Sequence, residues 1–355
     1  MLIQKFTTLF KDVTRQGTKI PKEEYLTHGK NIIIDQGQDI IAGYTNCEDG
    51  IFKKIPAIVF GDHTRIIKYV DTPFFLGADG VKVLKCTDKN ANYRYLYYAL
   101  KNAHIPNTGY NRHFKWLKEI TINYPDKNRQ NDIVNILDKL EYIIKMKSQE
   151  LDKFDELIKA RFVEMFGDPQ DSKSKWKKST IEKCCTLKSG KTLPRNIENE
   201  GGNIPYVKVK DMNSLENTTY ITTSTRFVSD KTANKSIFPV GTVIFPKRGG
   251  AIGTNKKRLT KVPICADLNI MGVIPDNTRI SSYYLFEYFN MVDLNTLNNG
   301  SSVPQINNKD INPLNINIPP LSLQNEFANF VHQVDKSKFE NIVYLKRSQA
   351  KFSVN

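Results

Sequence analysis

Two long segments of the chain carry apolar residues at alternating spacings of three and four. The first segment predicts a helix from about Asn128 to Phe166, and Lys147 and Arg161 interrupt its apolar series. The apolar positions of this series are Leu137, Leu140, Ile144, Leu151, Phe154, Ile158 and Met165. Such spacing is typical of a coiled coil, and a helix of this length spans about 55–60 Å at 1.5 Å per residue.

The second segment predicts a shorter helix that begins near Ser322 and reaches Asn355. Its less regular apolar series is Phe327, Val331, Val334, Ile342, Leu345 and Phe352. We expect the two long amphipathic helices to pack on each other. They would then act either as spacers between two globular modules or as an ordinary buried helix pair.

Each predicted helix is preceded by the same short series of elements. A strand with alternating apolar residues comes first, with the sequence ITINY at residues 120–124 and LNINI at residues 314–318. A proline ends each strand. Five residues after each proline comes a glutamine followed by an asparagine, at Gln130 and Gln324. The two halves of the chain therefore end in the same way.

Matches in the same order extend into the rest of the chain. GTKIP at residues 17–21 resembles GKTLP at residues 190–194, and the offset between matches grows from 173 here to 194 at the strands. Insertions in surface loops produce such a drift. The shared order predicts an internal duplication. The chain divides accordingly into globule, helix, globule and helix, at residues 1–127, 128–167, 168–320 and 321–355.

The charge of the chain indicates a polyanionic partner. Lys and Arg total 52 and Asp and Glu total 37, which gives a net charge of +15 and a pI of about 9.4. Residues 128–167 carry seven basic and eight acidic side chains, so the remaining chain carries +16. An excess of this size favours nucleic acid or an anionic surface as partner. The globules would contact the polyanion and the first helix would contact protein.

A basic loop is predicted in the second globule. Residues 247–261 include six basic side chains and no acid, and the strand VIF precedes them. Glycines in this loop let backbone amides approach phosphate, and Arg can form a bidentate contact with a guanine edge. A solvated basic hairpin is the alternative. The candidate DNA-binding residues here are Lys247, Arg248, Asn255, Lys256, Lys257 and Arg258.

A second group of candidates precedes the terminal strand of each half. The stretch GYNRHFKW at residues 109–116 corresponds to GSSVPQIN at residues 300–307. Asn and Arg are the residue types that read adenine and guanine edges. Different polar residues at equivalent places are what two readers of different sequences would carry. The candidates are Asn111, Arg112, His113 and Lys115 in the first half and Ser301, Ser302 and Gln305 in the second.

The motifs of several catalytic and metal-binding classes are missing from the sequence. There is no GxxxxGK[ST] phosphate loop, no GxGxxG and no Asn-Pro-Pro-aromatic motif for amino methylation. The five histidines lie far apart and the five cysteines form no CxxC pair, so we predict no metal site and no catalytic residue. No run of 18 apolar residues and no signal peptide is found, so the cytoplasm is the expected compartment.

The two endings resemble the specificity (S) subunit of type I restriction–modification systems. The first is ITINYPDKNRQNDIVNILDKLEYII, running into ELIKARFVEMFGDP at residues 156–169. The second is LNINIPPLSLQNEFANFVHQVDKSK at residues 314–338. Strand, proline, glutamine-centred helix start and long helix match the spacer regions of that family. The resemblance covers essentially the whole chain in architecture, and its motifs are specific at the two endings.

This resemblance implies an α+β fold. Two similar mixed α/β target recognition domains would be separated by two long α-helices packed as an antiparallel coiled coil. Each domain would bind one half of a bipartite, asymmetric site in double-stranded DNA, and the helices would set the spacing. The chain would be non-catalytic by itself and would act in defence against foreign DNA.

The resemblance also implies partners that carry the chemistry. Two modification subunits would bind S-adenosylmethionine, methylate adenine and dock on the helices. Two restriction subunits would complete a nuclease that depends on ATP and Mg. The candidate docking residues are Leu137, Leu140, Ile144, Leu151, Phe154, Ile158, Phe327, Val331 and Val334.

Two other classes of function remain open from the residues alone. One is a repeat scaffold that binds only protein partners, in which the positive charge aids solubility. The other is a self-contained DNA-modifying enzyme, against which the missing cofactor motifs argue.

Overall fold

The computed structural model describes residues 2–77, 79–109, 111–169, 174–198, 200–234, 236–297 and 303–352. The chain forms two compact units, one of Met1–Ser148 with Val343–Asn355 and the other of Gln149–Ile342. Each unit holds one globule and parts of both long helices. Within the described residues, no helix combines the length and the apolar character needed to cross a membrane.

The first unit holds nine short strands and four helices among its described residues. The strands are β1 (Ile3–Lys5), β2 (Phe10–Asp12), β3 (Asn31–Ile34), β4 (Gly43–Thr45), β5 (Ala57–Gly61), β6 (Ile67–Val70), β7 (Phe74–Leu76), β8 (Val81–Cys86) and β9 (Thr121–Asn123). The helices are α1 (Phe6–Leu9), α2 (Tyr93–Lys101), α3 (Phe114–Leu117) and α4 (Lys127–Phe166), which continues into the second unit.

Two sheets and one strand pair build the first globule. An antiparallel sheet has the strand order β2-β8-β5-β6, and a smaller sheet has the order β4-β3-β7 with β3 and β7 parallel. Strand β1 pairs with β9, the strand that leads into α4. The main core lies where the four-stranded sheet meets α2 and the start of α4, and it includes Phe60, Leu96 and Val134. Burial of these apolar side chains is the main stabilising contribution.

The second unit contains the remaining elements. Its strands are β10 (Lys177–Thr180), β11 (Cys185–Ser189), β12 (Ile204–Val207), β13 (Tyr220–Ile221), β14 (Phe227–Val228), β15 (Val243–Pro246), β16 (Arg258–Thr260), β17 (Cys265–Ala266), β18 (Ile270–Pro275) and β19 (Asn315–Ile318). Its helices are α5 (Ile181–Cys184), α6 (Arg195–Glu198), α7 (Asp230–Ala233), α8 (Ser282–Met291), α9 (Asn308–Ile311) and α10 (Leu321–Phe352), whose last residues belong to the first unit.

The second globule repeats the topology of the first. Its larger sheet has the order β11-β18-β15-β16-β13, and its smaller sheet has the order β14-β12-β17 with β12 and β17 parallel. Strand β10 pairs with β19, which leads into α10. Apart from the added strand β13, each strand has its counterpart in the first globule. The duplication inferred from the sequence is therefore a duplication of fold.

The helices begin and end close to where the sequence pattern predicts. Helix α4 begins at Lys127 and α10 begins at Leu321, one residue before each predicted start. The predicted apolar positions of α4 are all half-buried or buried. Lys147 and Arg161, which interrupt the series, are also half-buried. Their long aliphatic stems let such side chains lie along an apolar seam.

Within the second unit, α4 and α10 pack as an antiparallel pair. The Phe162 and Phe327 rings lie 5.5 Å apart edge to face, and Arg161 is 3.1 Å from Glu326. Earlier in α4 and later in α10, Lys338 Nζ lies 2.5 Å from Asp155 Oδ1. Contacts that advance along one helix and retreat along the other define opposite directions. The antiparallel coiled coil implied by the resemblance is confirmed.

One buried glutamine joins each long helix to its own globule. Gln130 Oε1 accepts a hydrogen bond from the backbone N–H of Asn92, the N-cap residue of α2, at 3.1 Å. Gln324 Oε1 accepts from the N–H of Ser281, the N-cap residue of α8, at 2.7 Å. In both cases Nε2 donates to the carbonyl of the proline five residues earlier, at 2.8 Å. These glutamines are the pair that the sequence repeat singles out.

We predict that Gln324→Ala lowers the free energy of unfolding by about 2–4 kcal/mol. The substitution leaves the half-buried N–H of Ser281 and the buried carbonyl of Pro319 without these partners, and each unsatisfied buried group costs about 1–3 kcal/mol. Urea unfolding followed by circular dichroism measures the change. Asn325→Ala, at the exposed neighbouring position, is the control and should change stability by less than about 0.5 kcal/mol. Equal stability of the two variants would contradict the structural role of Gln324.

Candidate nucleic-acid interface

The two candidate loops reach equivalent places in their globules. In the first globule, the N–H of His113 donates to the carbonyl of Asp62, just after β5, at 2.8 Å. In the second, the N–H of Ile306 donates to the carbonyl of Lys247, just after β15, at 2.9 Å. Strands β5 and β15 are counterparts, so the loop before α3 and the loop before α9 are fixed to the sheet in the same way.

In the first globule, three of the four candidate side chains face solvent. Asn111, Arg112 and Lys115 are exposed, and the Lys115 ammonium lies 5.0 Å from the centroid of the Trp116 ring. His113 is fully buried, and its Nδ1 lies 3.0 Å from the carbonyl oxygen of Asp62. A ring enclosed in this way fastens the loop to Asp62 and presents no edge to solvent in this conformation.

In the second globule, Lys247 and Arg248 lie side by side at the end of β15. Lys247 is buried, and its Nζ donates to Ser189 Oγ at 2.7 Å. Burial and the neighbouring Arg248 charge lower the pKa of Lys247. Arg248 is half-buried, and within the described part of the chain its Nε has no hydrogen-bond partner. Its backbone pairs with Gln305 from the loop before α9. Arg248 is thus a half-buried cation at the shared loop position, with one unpaired nitrogen among the described residues.

The other basic side chains of this loop mostly hold the loop together. Lys257 is buried and donates to the carbonyl of Val292 at 2.6 Å and to Asn255 Oδ1 at 2.7 Å. The Arg258 guanidinium donates to three backbone carbonyls, those of Asn217, Lys257 and Met212. In this conformation these donors bind protein, and a role for Lys257 and Arg258 as DNA contacts stays a prediction. Asn255 Oδ1 accepts hydrogen bonds from Lys257 Nζ and, at 2.9 Å, from the backbone N–H of Leu294.

The structure describes two of the four remaining candidates of the second globule, Lys256 and Gln305. Lys256 is half-buried, and its Nζ donates to Asn213 Oδ1. Gln305 is half-buried, and its Nε2 donates to Asn307 Oδ1 at 2.6 Å. Ser301 and Ser302 lie outside the described residues. All four residues stay predictions.

The sequence pattern missed a group of loop-fixing residues in the first globule. Lys68 on β6 is buried, and its Nζ donates to the carbonyl of Asp39 at 2.5 Å. Arg65 adopts a left-handed backbone conformation with φ of 64° and donates to the carbonyl of Ile105 at 3.1 Å. A non-glycine residue in that region is uncommon. No periodic pattern marks either residue, because each acts through a loop distant in sequence.

The docking candidates form the seam between helices and the cores of the globules. Ile158, Phe327, Val331 and Val334 are buried in the core of the second unit, and Phe154 packs against it. Leu137 packs against the core of the first unit, and Leu140, Ile144 and Leu151 are half-buried. In this structure the buried members pack within the chain itself. Exposed apolar side chains of the same helices lie at other positions, among them Ile136, Ile143, Met146, Leu157 and Phe339.

The described residues offer no group of three or more His, Cys, Asp or Glu side chains placed to hold a metal ion. The five cysteines are free thiols.

Comparison with protein families gives one match that covers most of the chain. The model of the family described as "Type I restriction modification DNA specificity domain" matches residues 8–153 and again residues 173–346. The two matches correspond to the two halves of the duplication.

Individual proteins are similar over the same extent. The specificity subunit of the type I restriction enzyme EcoR124I/EcoR124II from Escherichia coli is 24% identical over 330 residues, which are 85% of this chain and 79% of that protein. The crystal structure of a type I restriction–modification S subunit from M. genitalium superposes with a TM-score of 0.58 at 18% identity, covering 99% of this chain and 93% of the other. A chain from a structure titled as the basis of complex assembly and conformational transition of the type I R-M system superposes with a TM-score of 0.51 at 14% sequence identity. The superposition covers 98% of this chain and 94% of the other.

We predict that Lys257 makes stability depend on pH in the alkaline range. Burial lowers the pKa of Lys257 to about 8 from an ordinary value of 10.5. Between these pH values the unfolded chain holds more protons than the folded chain, so the free energy of unfolding rises with pH through this window. Lys257→Met removes this contribution. Urea unfolding of both proteins from pH 7 to 10.5 should show the wild type gaining stability relative to the variant. Parallel curves of the free energy of unfolding against pH would contradict the lowered pKa of Lys257.

Proposed function

This chain belongs to the type I restriction–modification DNA specificity family, and we propose that each of its globules reads one half of a split DNA site. It is a DNA-recognition subunit of such a system, and subunits of this family are generally non-catalytic. The family match does not favour a scaffold that binds only protein or a self-contained modifying enzyme.

The observation that supports two separate half-sites is one backbone arrangement carrying two sets of side chains. The residue that follows the central strand is an acid, Asp62 after β5, in the first globule and a base, Lys247 after β15, in the second. The loop that is fixed there carries Arg112 in the first globule and Gln305 in the second. Equivalent positions with different hydrogen-bonding groups favour different bases, because each base pair presents its own donor and acceptor pattern in the major groove.

The polar candidates of the two loops suggest a division of roles. Arg112 and Arg248 have the planar donor geometry that matches O6 and N7 of guanine, and Asn111 has the amide that matches adenine. Lys115 and Lys256 are suited to phosphate contacts, which fix position and carry no sequence information. The excess of positive charge outside α4 supports binding to DNA phosphates.

The long helices are proposed to fix the spacing and to bind the other subunits. The exposed apolar side chains Ile136, Ile143, Met146 and Leu157 on α4 and Phe339 on α10 are available for contacts with modification subunits. We propose two modification and two restriction subunits for each chain. Those subunits would bind S-adenosylmethionine, ATP and Mg, and the complex would act in the cytoplasm.

We predict that Arg112→Ala and Arg248→Ala each relax the base preference of one half-site only. Loss of a bidentate guanine contact should cost about 1–3 kcal/mol on the preferred sequence and little on sequences with another base there. Fluorescence anisotropy of the chain assembled with its modification subunits, on duplexes varied one base pair at a time, measures this. Arg15→Ala, at an exposed position of the first globule, is the control. A loss that is equal on all sequences would assign the arginine to a phosphate.

We predict that lengthening both helices lengthens the recognised spacer and leaves both half-sites unchanged. Seven residues inserted in α4 after Ser148, with seven in α10 after Ile342, keep the seam in phase and add about 10 Å at 1.5 Å per residue. That length corresponds to about three base pairs at 3.4 Å each. Methylation of a duplex library with varied spacers measures the preference. An unchanged spacer, or altered half-site bases, would contradict the role of the helices.

A further inference from the structure

A loop of the first globule ends in two adjacent exposed isoleucines. Ile40 is 66% exposed and Ile41 is 38% exposed, whereas Ile33 and Ile34 at the end of β3 are fully buried. Single exposed apolar side chains are ordinary on protein surfaces, whereas contiguous exposed apolar area marks interaction sites. The position of residues 35–42 therefore matters for what these side chains can contact.

A buried ammonium holds this loop against the edge strand β6. The Lys68 side chain is 3% exposed, and its Nζ lies 3.5 Å from Asp35 Oδ1 in addition to its bond to the Asp39 carbonyl. Burial lowers the pKa of Lys68, and the Asp35 charge acts in the opposite direction. A buried charge is costly unless it is paired. Lys68 thus requires both ends of the segment 35–39 to stay in place.

Two glycines leave the space that Gln36 of the same loop occupies. A Cβ added at Gly80, where φ is +93°, would lie 2.8 Å from the Gln36 amide, and one added at Gly61 would lie 2.9 Å from Gln36 Cβ. In this space Gln36 Nε2 donates to the Asp79 carbonyl at 3.1 Å, and Thr64 Oγ1 donates to the Gln36 carbonyl at 2.6 Å. The loop is therefore fastened to the turn after β5 and to the turn before β8.

Those two turns also contact the candidate DNA-reading residues. The turn after β5 provides the Asp62 carbonyl that accepts the His113 N–H at 2.8 Å. In the turn before β8, the Asp79 carboxylate accepts a hydrogen bond from Lys19, and this bond, with a smaller contribution from the Arg112 charge, lowers the pKa of Asp79. The isoleucine tip and Arg112 consequently belong to one end of the first globule.

We propose that the side chains of Ile40 and Ile41 pack on the C5-methyl groups of thymines in the first half-site. This inference rests on the proposed function, in which this end of the globule faces DNA. Among the base-edge groups of the major groove, the thymine methyl is the apolar one, and it distinguishes thymine from cytosine. Burial of one methyl group changes affinity by about fourfold.

Replacing thymine with uracil tests this contact, because uracil lacks only the C5-methyl group. The chain assembled with its modification subunits is titrated with duplexes in which each thymine of the site is replaced singly. The wild type should lose about fourfold in affinity at one or two positions of the first half-site. The Ile40→Ser/Ile41→Ser double variant should bind thymine and uracil equally at those positions. Ile3→Ser, which alters an exposed isoleucine of β1, is the matched control and should keep the wild-type ratio.

Several outcomes would overturn the proposal. They are an unchanged thymine-to-uracil ratio in the double variant, an equal loss on every sequence, and a first half-site without thymine. Failed assembly with intact DNA binding would assign the loop to a protein partner instead. Failure of the proposed function is distinguishable, because the wild-type assembly would then show no split site on any duplex, whether it holds thymine or uracil.

Discussion

One buried glutamine at the start of each long helix forms the hydrogen bonds that attach the helix to its own globule, and the arrangement of both halves depends on these bonds. The side chain joins three places, which are the end of the strand before the helix, the first turn of the long helix and the N-cap of α2 or α8. An N-cap amide and a proline carbonyl, most of them half-buried, would otherwise lack partners, which is costly. Gln130 and Gln324 therefore fix the direction in which each helix leaves its own globule.

The rest of each globule can vary because this junction is constant. Strands β9 and β19 pair with β1 and β10 in the same way, and the loops before α3 and α9 are joined to β5 and β15 by matching backbone hydrogen bonds. Backbone hydrogen bonds do not depend on side-chain identity. At the matching position, the Asp62 carboxylate accepts from the Phe114 N–H at 2.7 Å, whereas Lys247 reaches Ser189. One scaffold thus tolerates opposite charges at its reading end. Two different half-sites are the functional consequence that we propose.

Local patterns in the sequence predicted the features that depend on local physics. The 3,4 spacing, the alternating strands and the proline-glutamine order gave the helix starts to within one residue, because periodicity and capping act over a few residues. The family resemblance, which rested on the same two endings, is confirmed by a match to both halves of the chain.

Sequence could not predict which polar side chains the fold uses for itself. Lys257 donates a hydrogen bond to the carbonyl of Val292, and Arg258 donates one to the carbonyl of Met212. Both acceptors are more than 30 residues away in the sequence. His113 is enclosed through Asp62, 51 residues earlier. A basic run therefore looks uniform in the sequence, although the structure leaves Arg248 with an unused donor and assigns Lys257 to the interior. Long-range capture of this kind has no local signature.

Mapping methylated adenines in DNA from cells that produce this chain with its modification subunits tests the central claim most directly. Two globules of one fold, each reading its own bases, predict a single motif with two specified parts separated by a fixed number of unspecified base pairs. When the second globule alone is altered at Arg248, only one part should change. An uninterrupted motif, or a change in both parts, would contradict the account.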